Sequence, residues 1–379
     1  MKKPMIFLYL ILLAVLIILP APVYLLFGSR LDTENYENRT LAEMPVLSVS
    51  TIGSFPNDFN QYWMDNLPFK SNLVNTNGYI DYRFFNSAGS PYVIVGKDGW
   101  LFYKGQQANF EHPEADYMGT NLFTDEELER IRENMLRARD FLAERDSEFI
   151  IFIAPNKERV YSEYMPDAYG EPAEMNRMRQ VVEYLQRETD LTVLCPYDDL
   201  MQFKDEHPDV RLYYKYDTHW NNAGSYIGGR ILSKALGHDM PGLDEITVTE
   251  IPNGTYDLAT LLGLRDQLRD DTVYAVAGYT YNDIKTVQDE GATEFRYNNP
   301  AGNGDPRKVY LVGDSFSTMM GIYVACHFND MYMNSYKSYT GAWILAQEDP
   351  DVVIYETVER YLGNMLDFDL ETSIGKGEY

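Results

Sequence analysis

Short apolar runs, each about as long as one buried strand, recur through most of this 379-residue chain. They lie at residues 149–154, 191–194, 309–312, 331–333 and 352–355. Segments whose apolar residues recur every three or four positions separate several of them, which is the spacing of an amphipathic helix. Strands buried on both faces carry continuous apolar runs. The sequence therefore predicts an α/β fold, with a parallel central sheet covered by helices on both sides.

Two local motifs support this division into strands and helices. Residues 93–102 predict a β-hairpin, because a Lys-Asp-Gly turn separates two apolar arms. Thr124 and Glu127 have the spacing of a capping box, which marks a helix start. Apolar residues at steps of three and four then follow from Leu128 to Leu142. A long helix is predicted there.

The amino terminus predicts the location of the protein. Lys2 and Lys3 precede an almost uncharged apolar stretch at residues 5–27, long enough for a bilayer-spanning helix of about 20 residues. A secretory signal peptide is the alternative, but it has a shorter apolar region and small residues before its cleavage site. Two lysines before the helix favour a cytoplasmic start. We expect residues 1–27 to anchor the chain in the cell membrane, with the remainder outside the cytoplasm.

The remainder divides by composition. Residues 28–54 are polar and turn-rich, as in a stalk or linker, and residues 55–379 are predicted to form one large domain. Within that domain, residues 240–305 are irregular and rich in Asp, Asn, Gly and Thr. This segment is expected to be an insertion or lid.

The charge balance excludes one class of partner. Lys and Arg number 32 against 58 Asp and Glu, so the formal net charge is −26. Such a surface repels polyphosphates, and we expect no nucleic acid to bind.

The cysteines predict no metal or redox site. Cys195 and Cys326 are far apart and do not form a CxxC motif. Buried thiols are the default for cysteine, and a disulfide between the two stays open. The sequence predicts neither a metal nor a cofactor.

A serine follows the strand at residues 309–312. The chain runs from this strand directly into Gly313-Asp314-Ser315-Phe316-Ser317. A serine at a strand-to-helix turn exposes its Oγ above the sheet edge, and its own backbone N–H can stabilise an oxyanion. Ligands of parallel sheets bind at the carboxyl ends of the strands, which is where Ser315 falls. Ser315 is the candidate nucleophile.

The motif Asp217-Thr218-His219-Trp220 supplies a base and an acid. Residues two apart in an extended segment point the same way, so Asp217 and His219 are predicted to share a face. The carboxylate can then hold one imidazole nitrogen while the other takes the proton of Ser315. A structural Asp–His pair with a helix-capping serine is the alternative. Asp314 is a rival acid, and a metal site is the competing use of Asp217 and His219.

These motifs resemble those of the alginate O-acetyltransferase group (AlgJ/AlgX-like, also called DHHW), which has an SGNH-hydrolase-like α/β/α fold. His219 precedes Ser315 by 96 residues, the order of this group, whereas ordinary SGNH esterases carry the serine block first. The similarity extends from about residue 35 to residue 362. The matching segments, in order, are Glu37–Arg39, Gly96–Phe102, Ala154–Lys157, Asp217–Asn221, Gly313–Phe316 and Glu356–Tyr361.

The resemblance implies an enzyme outside the membrane that O-acetylates a polysaccharide. Ser315 would accept the acyl group, His219 would be the base and Asp217 would orient it. The resemblance also carries over five pocket or support residues: Lys157, Trp220, Asn221, Glu356 and Arg360. An equal alternative for Glu356 and Arg360 is a buried pair that shapes the site.

The resemblance also implies a partner. Acetyl-CoA is cytoplasmic, so a membrane-bound O-acyltransferase would have to export the acetyl group to an outer domain. The acidic surface argues against polyanionic alginate itself as the acceptor. Two other functions remain compatible with the sequence. One is a carbohydrate acetylesterase, which would use the same triad with water as acceptor, and the other is a non-catalytic scaffold in a polysaccharide-export complex.

Overall fold

The computed structural model describes residues 42–66, 70–105, 112–252, 256–268, 272–276, 285–288 and 294–374, with a few isolated positions before residue 27. The chain forms two compact units. The N-terminal unit comprises residues 1–90 and 259–267, and the main unit comprises residues 91–258 and 268–379. The sequence predicted one outer domain from residue 55, whereas the main unit begins at Pro91.

Helices and strands alternate through most of the described chain. The helices are α1 (Phe55–Asp65), α2 (Lys70–Phe85), α3 (Pro113–Met118), α4 (Asp125–Ala143), α5 (Lys157–Val160), α6 (Arg177–Glu188), α7 (Tyr197–Glu206), α8 (Asn222–Ala235), α9 (Asp257–Leu261), α10 (Ser315–Ala325) and α11 (Ala342–Glu348). The strands are β1 (Val93–Val95), β2 (Leu101–Tyr103), β3 (Glu148–Ala154), β4 (Thr192–Leu194), β5 (Val248–Pro252), β6 (Thr272–Val276), β7 (Lys285–Gln288), β8 (Phe295–Asn298), β9 (Asp305–Gly313), β10 (Phe328–Ser335) and β11 (Val352–Val358).

A seven-stranded sheet forms the centre of the main unit, in the order β4-β3-β11-β9-β10-β8-β7. The first five strands in this order are parallel to their neighbours. They contain the five apolar runs, which confirms the predicted α/β class and its parallel centre. The strands β8 and β7 extend the sheet in antiparallel orientation. They were not predicted, and they come from the segment expected to be an insertion or lid.

The sheet is covered on both faces. Alternate residues of β3 enter different cores: Ile150 and Phe152 contribute to one, and Phe149 and Ile151 to the other. Buried residues of α8 and α10 belong to the first core, and those of α4 and α6 to the second. Because β3 and β11 are buried on both sides, each contains a continuous apolar run, residues 149–154 and 352–355, rather than an alternating pattern.

The two local motifs are also confirmed. The strands β1 and β2 pair in antiparallel register through a turn at Lys97–Gly99, in which Asp98 has φ of 53° and Gly99 has φ of 74°. Helix α4 begins at a capping box, where the Glu127 N–H donates to Thr124 Oγ1 at 3.2 Å and the Thr124 N–H donates to Glu127 Oε2 at 2.8 Å.

In the N-terminal unit, the C-terminal end of α1 holds the chain that precedes it. The Ala42 N–H donates to the Asp65 carboxylate at 2.9 Å, and the Asn66 amide donates to the Ala42 carbonyl at 3.0 Å. The predicted anchor at residues 1–27 and most of the predicted stalk lie outside the described residues. Among the helices that the structure does describe, none is long and apolar enough to cross a membrane.

The two cysteines, both within the described chain, are not bonded to each other. Cys195 lies in contact with Met178, with its Sγ 3.6 Å from the thioether sulfur. Burial raises the pKa of the Cys195 thiol to about 12, so this group is an unreactive thiol near neutral pH.

Candidate active site

Ser315 is the first residue of α10, directly after the carboxyl end of β9. Asp314 is the N-cap: its backbone is extended, and its carboxylate accepts the Phe316 N–H at 2.9 Å. Gly313 is required before it, because a Cβ there would lie 2.5 Å from Glu356 Oε2. The side chain of Ser315 is exposed while its neighbours in this turn are buried. The fold therefore exposes the Ser315 hydroxyl at the carboxyl end of the interior strand β9.

His219 and Asp217 meet this hydroxyl in a single row. The Ser315 Oγ lies 2.5 Å from His219 Nε2, and His219 Nδ1 lies 2.7 Å from Asp217 Oδ1. An ionised carboxylate only accepts, so the imidazole carries its proton on Nδ1. Nε2 then accepts the proton of Ser315. The structure thus brings together the three side chains that the sequence singled out.

The local reason for the Asp217–His219 contact differs from the predicted one. The chain around Asp217 bends instead of forming an extended strand, and the bend is closed by an isolated bridge between Tyr213 and Trp220. The His219 N–H donates to Asp217 Oδ1 at 3.1 Å, which is an Asx turn. The carboxylate therefore holds both the backbone and the ring of His219.

These hydrogen bonds and charges shift the pKa values of Asp217 and His219 in opposite directions. Burial raises the pKa of Asp217, but the hydrogen bond and charge of His219 and two backbone N–H groups outweigh it and lower the pKa to about 2. Burial lowers the pKa of His219, but the hydrogen bond and charge of Asp217 outweigh that, and the pKa is raised. The imidazole is therefore a stronger base than a free histidine.

The Ser315 backbone N–H lies at the N-terminus of the 11-residue helix α10. Asp314 caps the next N–H, that of Phe316, and no described residue accepts from the N–H of Ser315. A helix N-terminus stabilises negative charge. This N–H is available to an oxyanion formed at Ser315, as the sequence predicted.

A second carboxylate, not predicted from the sequence, lies beside the row. Asp257 begins α9, in the irregular segment, and its Oδ2 lies 3.7 Å from His219 Nδ1. Its backbone N–H donates to Asp217 Oδ2 at 2.8 Å, and its side chain accepts from the N–H and hydroxyl of Thr218. Desolvation, with the charge of Asp217 adding to it, raises the pKa of Asp257 to about 6.

Asp217, His219 and Asp257 have ligand atoms within 4.8 Å of one another, close enough to share a cation. Both ring nitrogens of His219 already have partners, Asp217 and Ser315. A metal would have to replace the Nδ1–H···Oδ1 hydrogen bond that orients the ring. The donor set fits a proton relay better than a metal centre.

Three of the predicted pocket or support residues form hydrogen bonds in and around the segment that carries His219. Lys157 is 1% exposed, and its ammonium donates to the carbonyl oxygens of Lys215 and Asp217 at 2.9 and 2.8 Å. The Trp220 indole donates to the Phe316 carbonyl at 3.1 Å, which joins the histidine segment to α10. Asn221 caps α8 by accepting from two backbone N–H groups.

The other two, Glu356 and Arg360, lie behind the serine. Glu356 Oε2 accepts the Asp314 N–H at 3.0 Å, and burial raises the pKa of Glu356 well above its usual range. The Arg360 guanidinium lies 5.3 Å from the centre of the Phe316 ring and donates to Asn156 Oδ1 at 3.4 Å. Within the described chain these two side chains do not form an ion pair with each other. All five residues are buried, a location that favours support over contact with substrate.

Comparison with known proteins gives a family match over much of the main unit. Residues 93–329 match the model of the family described as SGNH hydrolase-like domain, acetyltransferase AlgX. A probable alginate O-acetylase AlgJ of Pseudomonas syringae pv. tomato is 26% identical over 233 residues, which cover 59% of this chain and 54% of that protein. Its namesake in Pseudomonas putida is 27% identical over 188 residues, 49% of this chain and 45% of that protein.

The chain thus spans about half the length of the curated relatives that it matches. Among solved structures, Bacillus cereus PatB1 is 16% identical, with a TM-score of 0.53, and the match covers 73% of this chain and 99% of that one. At this identity the likeness concerns the fold. The match to the family model covers more than half of the sequence, and the chain belongs to the SGNH hydrolase-like acetyltransferase family of AlgX.

Proposed function

We propose that this protein transfers acetyl groups to the hydroxyls of an exported or cell-wall polysaccharide, through an acyl intermediate on Ser315. The observation that carries the proposal is the hydrogen-bonded row of Asp217, His219 and Ser315 at the carboxyl end of β9. The family and its members named as probable alginate O-acetylases support an acetyltransferase type of activity.

In the first step, His219 Nε2 takes the proton of Ser315 as Oγ attacks the acetyl carbonyl of the donor. The carbonyl oxygen becomes an oxyanion beside the Ser315 N–H. The tetrahedral intermediate then collapses, the bond to the donor's leaving group breaks, and the imidazolium returns its proton to that group. Asp217 stabilises the imidazolium while it exists.

In the second step, a sugar hydroxyl gives its proton to His219 Nε2 and attacks the acetyl-serine. The ester bond to Oγ breaks, and the imidazolium protonates the departing serine. The free enzyme and an O-acetylated sugar result. If water takes the place of the sugar, the same steps release acetate.

The acceptor class follows from the relatives and the charge. Relatives named after alginate support a polysaccharide acceptor. The net charge of −26 disfavours a polyanion, so we propose a neutral or weakly charged glycan. We propose that the reaction takes place outside the cytoplasm, and two features of the sequence support this: Lys2 and Lys3, and the apolar stretch after them. A membrane-bound O-acyltransferase would supply the acetyl group there.

The test uses the full chain in detergent with an activated acetyl ester, 4-nitrophenyl acetate, with and without oligosaccharides. Acetate release and acetyl transfer to the sugar are measured separately. We expect transfer to exceed hydrolysis with a suitable glycan, and Ser315→Ala to lose both. Ser338→Ala, at a partly exposed serine outside the row, serves as the matched control.

Two outcomes would replace the proposal. Fast hydrolysis that no glycan alters would identify an acetylesterase. In cells, Ser315→Ala that leaves glycan acetylation intact while the protein is present at the normal level would identify a scaffold.

A further inference from the structure

The irregular segment at residues 240–305 contributes directly to the catalytic row. Asp257 and Thr218 form a reciprocal pair: the Asp257 N–H donates to the Asp217 carboxylate, and the Thr218 N–H donates to Asp257 Oδ1, both at 2.8 Å. Each segment therefore satisfies a polar group of the other. As in a capping box, two reciprocal hydrogen bonds join backbone N–H groups to side chains, but here the two segments are distant in sequence.

The Thr218 hydroxyl links Asp257 to the imidazole. It donates to Asp257 Oδ2 at 2.5 Å, because a carboxylate offers no proton of its own when ionised. Because the Thr218 hydroxyl proton points to Asp257, the hydroxyl oxygen can accept the proton of His219 Nδ1, which lies 3.2 Å away. The Nδ1–H thus has two acceptors, Asp217 and Thr218. Both favour the tautomer that leaves Nε2 free to take the proton of Ser315.

The charge of Asp257 acts on the same ring. Its Oδ2 lies 3.7 Å from His219 Nδ1, so an ionised Asp257 stabilises the imidazolium in addition to Asp217. Among the described residues, the charged groups that act on this cluster include Asp217, Arg360 and Asp314. The guanidinium of Arg360 opposes the imidazolium charge, and the carboxylates favour it.

We propose that Asp257 is a positioning residue for His219, acting through the hydroxyl and backbone of Thr218, and that the segment carrying it completes the active site. This inference rests on the proposed serine chemistry and extends it. Neither Asp257 nor Thr218 contacts the reacting atoms in this assignment. Their effect reaches Ser315 only through the ring of His219.

The test measures the reactivity of Ser315 without any sugar or partner protein. The full chain in detergent is treated with a fluorophosphonate ester, which phosphonylates an activated serine and releases fluoride, and mass spectrometry gives the labelling rate at Ser315. Rates are recorded from about pH 5 to about pH 9, where the protonation of His219 limits the acid side. The variants are Asp257→Asn, which keeps the shape, and Asp244→Asn, an exposed aspartate of the same segment as the control.

We expect Asp257→Asn to lower the maximal labelling rate by about 10- to 100-fold, the scale for losing an outer hydrogen-bond partner of a functional histidine. The acid limb should also move to lower pH, because loss of the carboxylate charge lowers the pKa of His219. A full charge about 4 Å away gives a shift of roughly 0.7 pH unit even in bulk water. Asp244→Asn should match the wild type in both respects.

A rate and limb equal to those of the wild type would overturn the proposal. So would a loss by the same factor at every pH, since that is the mark of a merely structural role. If Asp257→Asn does not fold, the comparison of Thr218→Ser with Thr218→Val decides, because only the former keeps the hydroxyl. Equal rates for those two would count against the inference.

Failure of the proposed function has a separate signature. In that case wild-type Ser315 is not labelled above the level of Ser338, and the inference about Asp257 is overturned together with the proposal it rests on. Labelling of Ser315 that depends on His219 but not on Asp257 overturns the inference alone.

Discussion

The ammonium of Lys157 lies 2.8 Å from the backbone carbonyl oxygen of Asp217. A lysine that is 1% exposed is unusual, and here its charge is directed at carbonyl oxygens. The rings of Trp100 and Phe102 lie 5.3 and 5.2 Å from the ammonium. Lys157 thereby ties the hairpin β1–β2 to the segment that carries Asp217 and His219.

Lys157→Met is predicted to destabilise the protein and lower its activity. The change leaves two buried carbonyl groups without this donor, and each costs about 1–3 kcal/mol. We expect the free energy of unfolding to fall by roughly 2–4 kcal/mol, as measured by urea denaturation. Among molecules that remain folded, kcat should fall more than KM rises. Lys308→Met, at an exposed lysine, is the control and should change neither.

Asp217→Asn is predicted to inactivate the enzyme without unfolding it. The amide cannot hold the Nδ1–H tautomer in the same way, and a comparable change in a serine protease costs about 10⁴-fold in kcat. Acyl-enzyme formation from an activated acetyl ester measures the loss. A variant that retained even a tenth of the wild-type rate would show that Asp314 or Asp257 is the orienting acid instead.

The activity of the wild type is predicted to rise with pH through the pKa of His219, because the base must be neutral. That pKa is raised, so the acid limb should lie above the ordinary histidine value of 6.5. A raised folded-state pKa also means that the His219–Asp217 interaction stabilises the protein most below the unfolded pKa and is lost as pH rises through the folded one. A limb below 6.5 would contradict this assignment.

Gly313→Ala is predicted to distort the turn that carries the serine. The added Cβ would lie 2.5 Å from Glu356 Oε2 and 2.9 Å from Ser317 Oγ, so the turn or β11 must shift. Overpacking of this kind costs about 1–3 kcal/mol of stability. Gly363→Ala has no atom within 4 Å of its new Cβ and serves as the control. Thermal unfolding and acyl-enzyme formation should both respond to the first change and not to the second.

Glu356→Gln is predicted to be tolerated near neutral pH. Burial and the charge of Asp314 raise the pKa of Glu356 well above its usual range, which favours the protonated side chain. A glutamine also offers a carbonyl oxygen to the Asp314 N–H and a donor in place of the carboxyl proton. The wild type should lose stability as pH rises from the ordinary glutamate pKa through the raised one, and the variant should not. Unfolding curves recorded at several pH values from about pH 4 upward test this, and a parallel loss in both proteins would contradict it.

The five parallel strands could be predicted because each contains a short continuous apolar run, which is typical of strands inside a covered sheet. The strands β7 and β8 could not, since residues 285–288 and 295–298 are short and mostly polar. They form only because β10 offers an edge for β8 to pair with. Secondary structure that depends on a distant partner leaves little trace in its own sequence.

The meeting of Asp217, His219 and Ser315 could be predicted from residue types and from the strand before Ser315. Asp257 could not be, because it is 40 residues from Asp217 and in a segment without periodicity. Its role depends on a tertiary contact and not on a motif. Lys157 entered the predicted site only through the family resemblance. A lysine in a sequence normally indicates a solvated surface, and only the fold shows that its charge is enclosed.

Strand β11 pairs with β3 on one side and β9 on the other, in the interior of the sheet. Its Glu356 accepts the N–H of Asp314, and the Val358 N–H donates to the Asp314 carboxylate at 2.7 Å. The turn that bears Ser315 is therefore hydrogen-bonded on two sides to an interior strand of the sheet. If the proposed acetyl-serine forms, a bulkier acyl chain or a branched sugar would need space from parts of the site other than this turn.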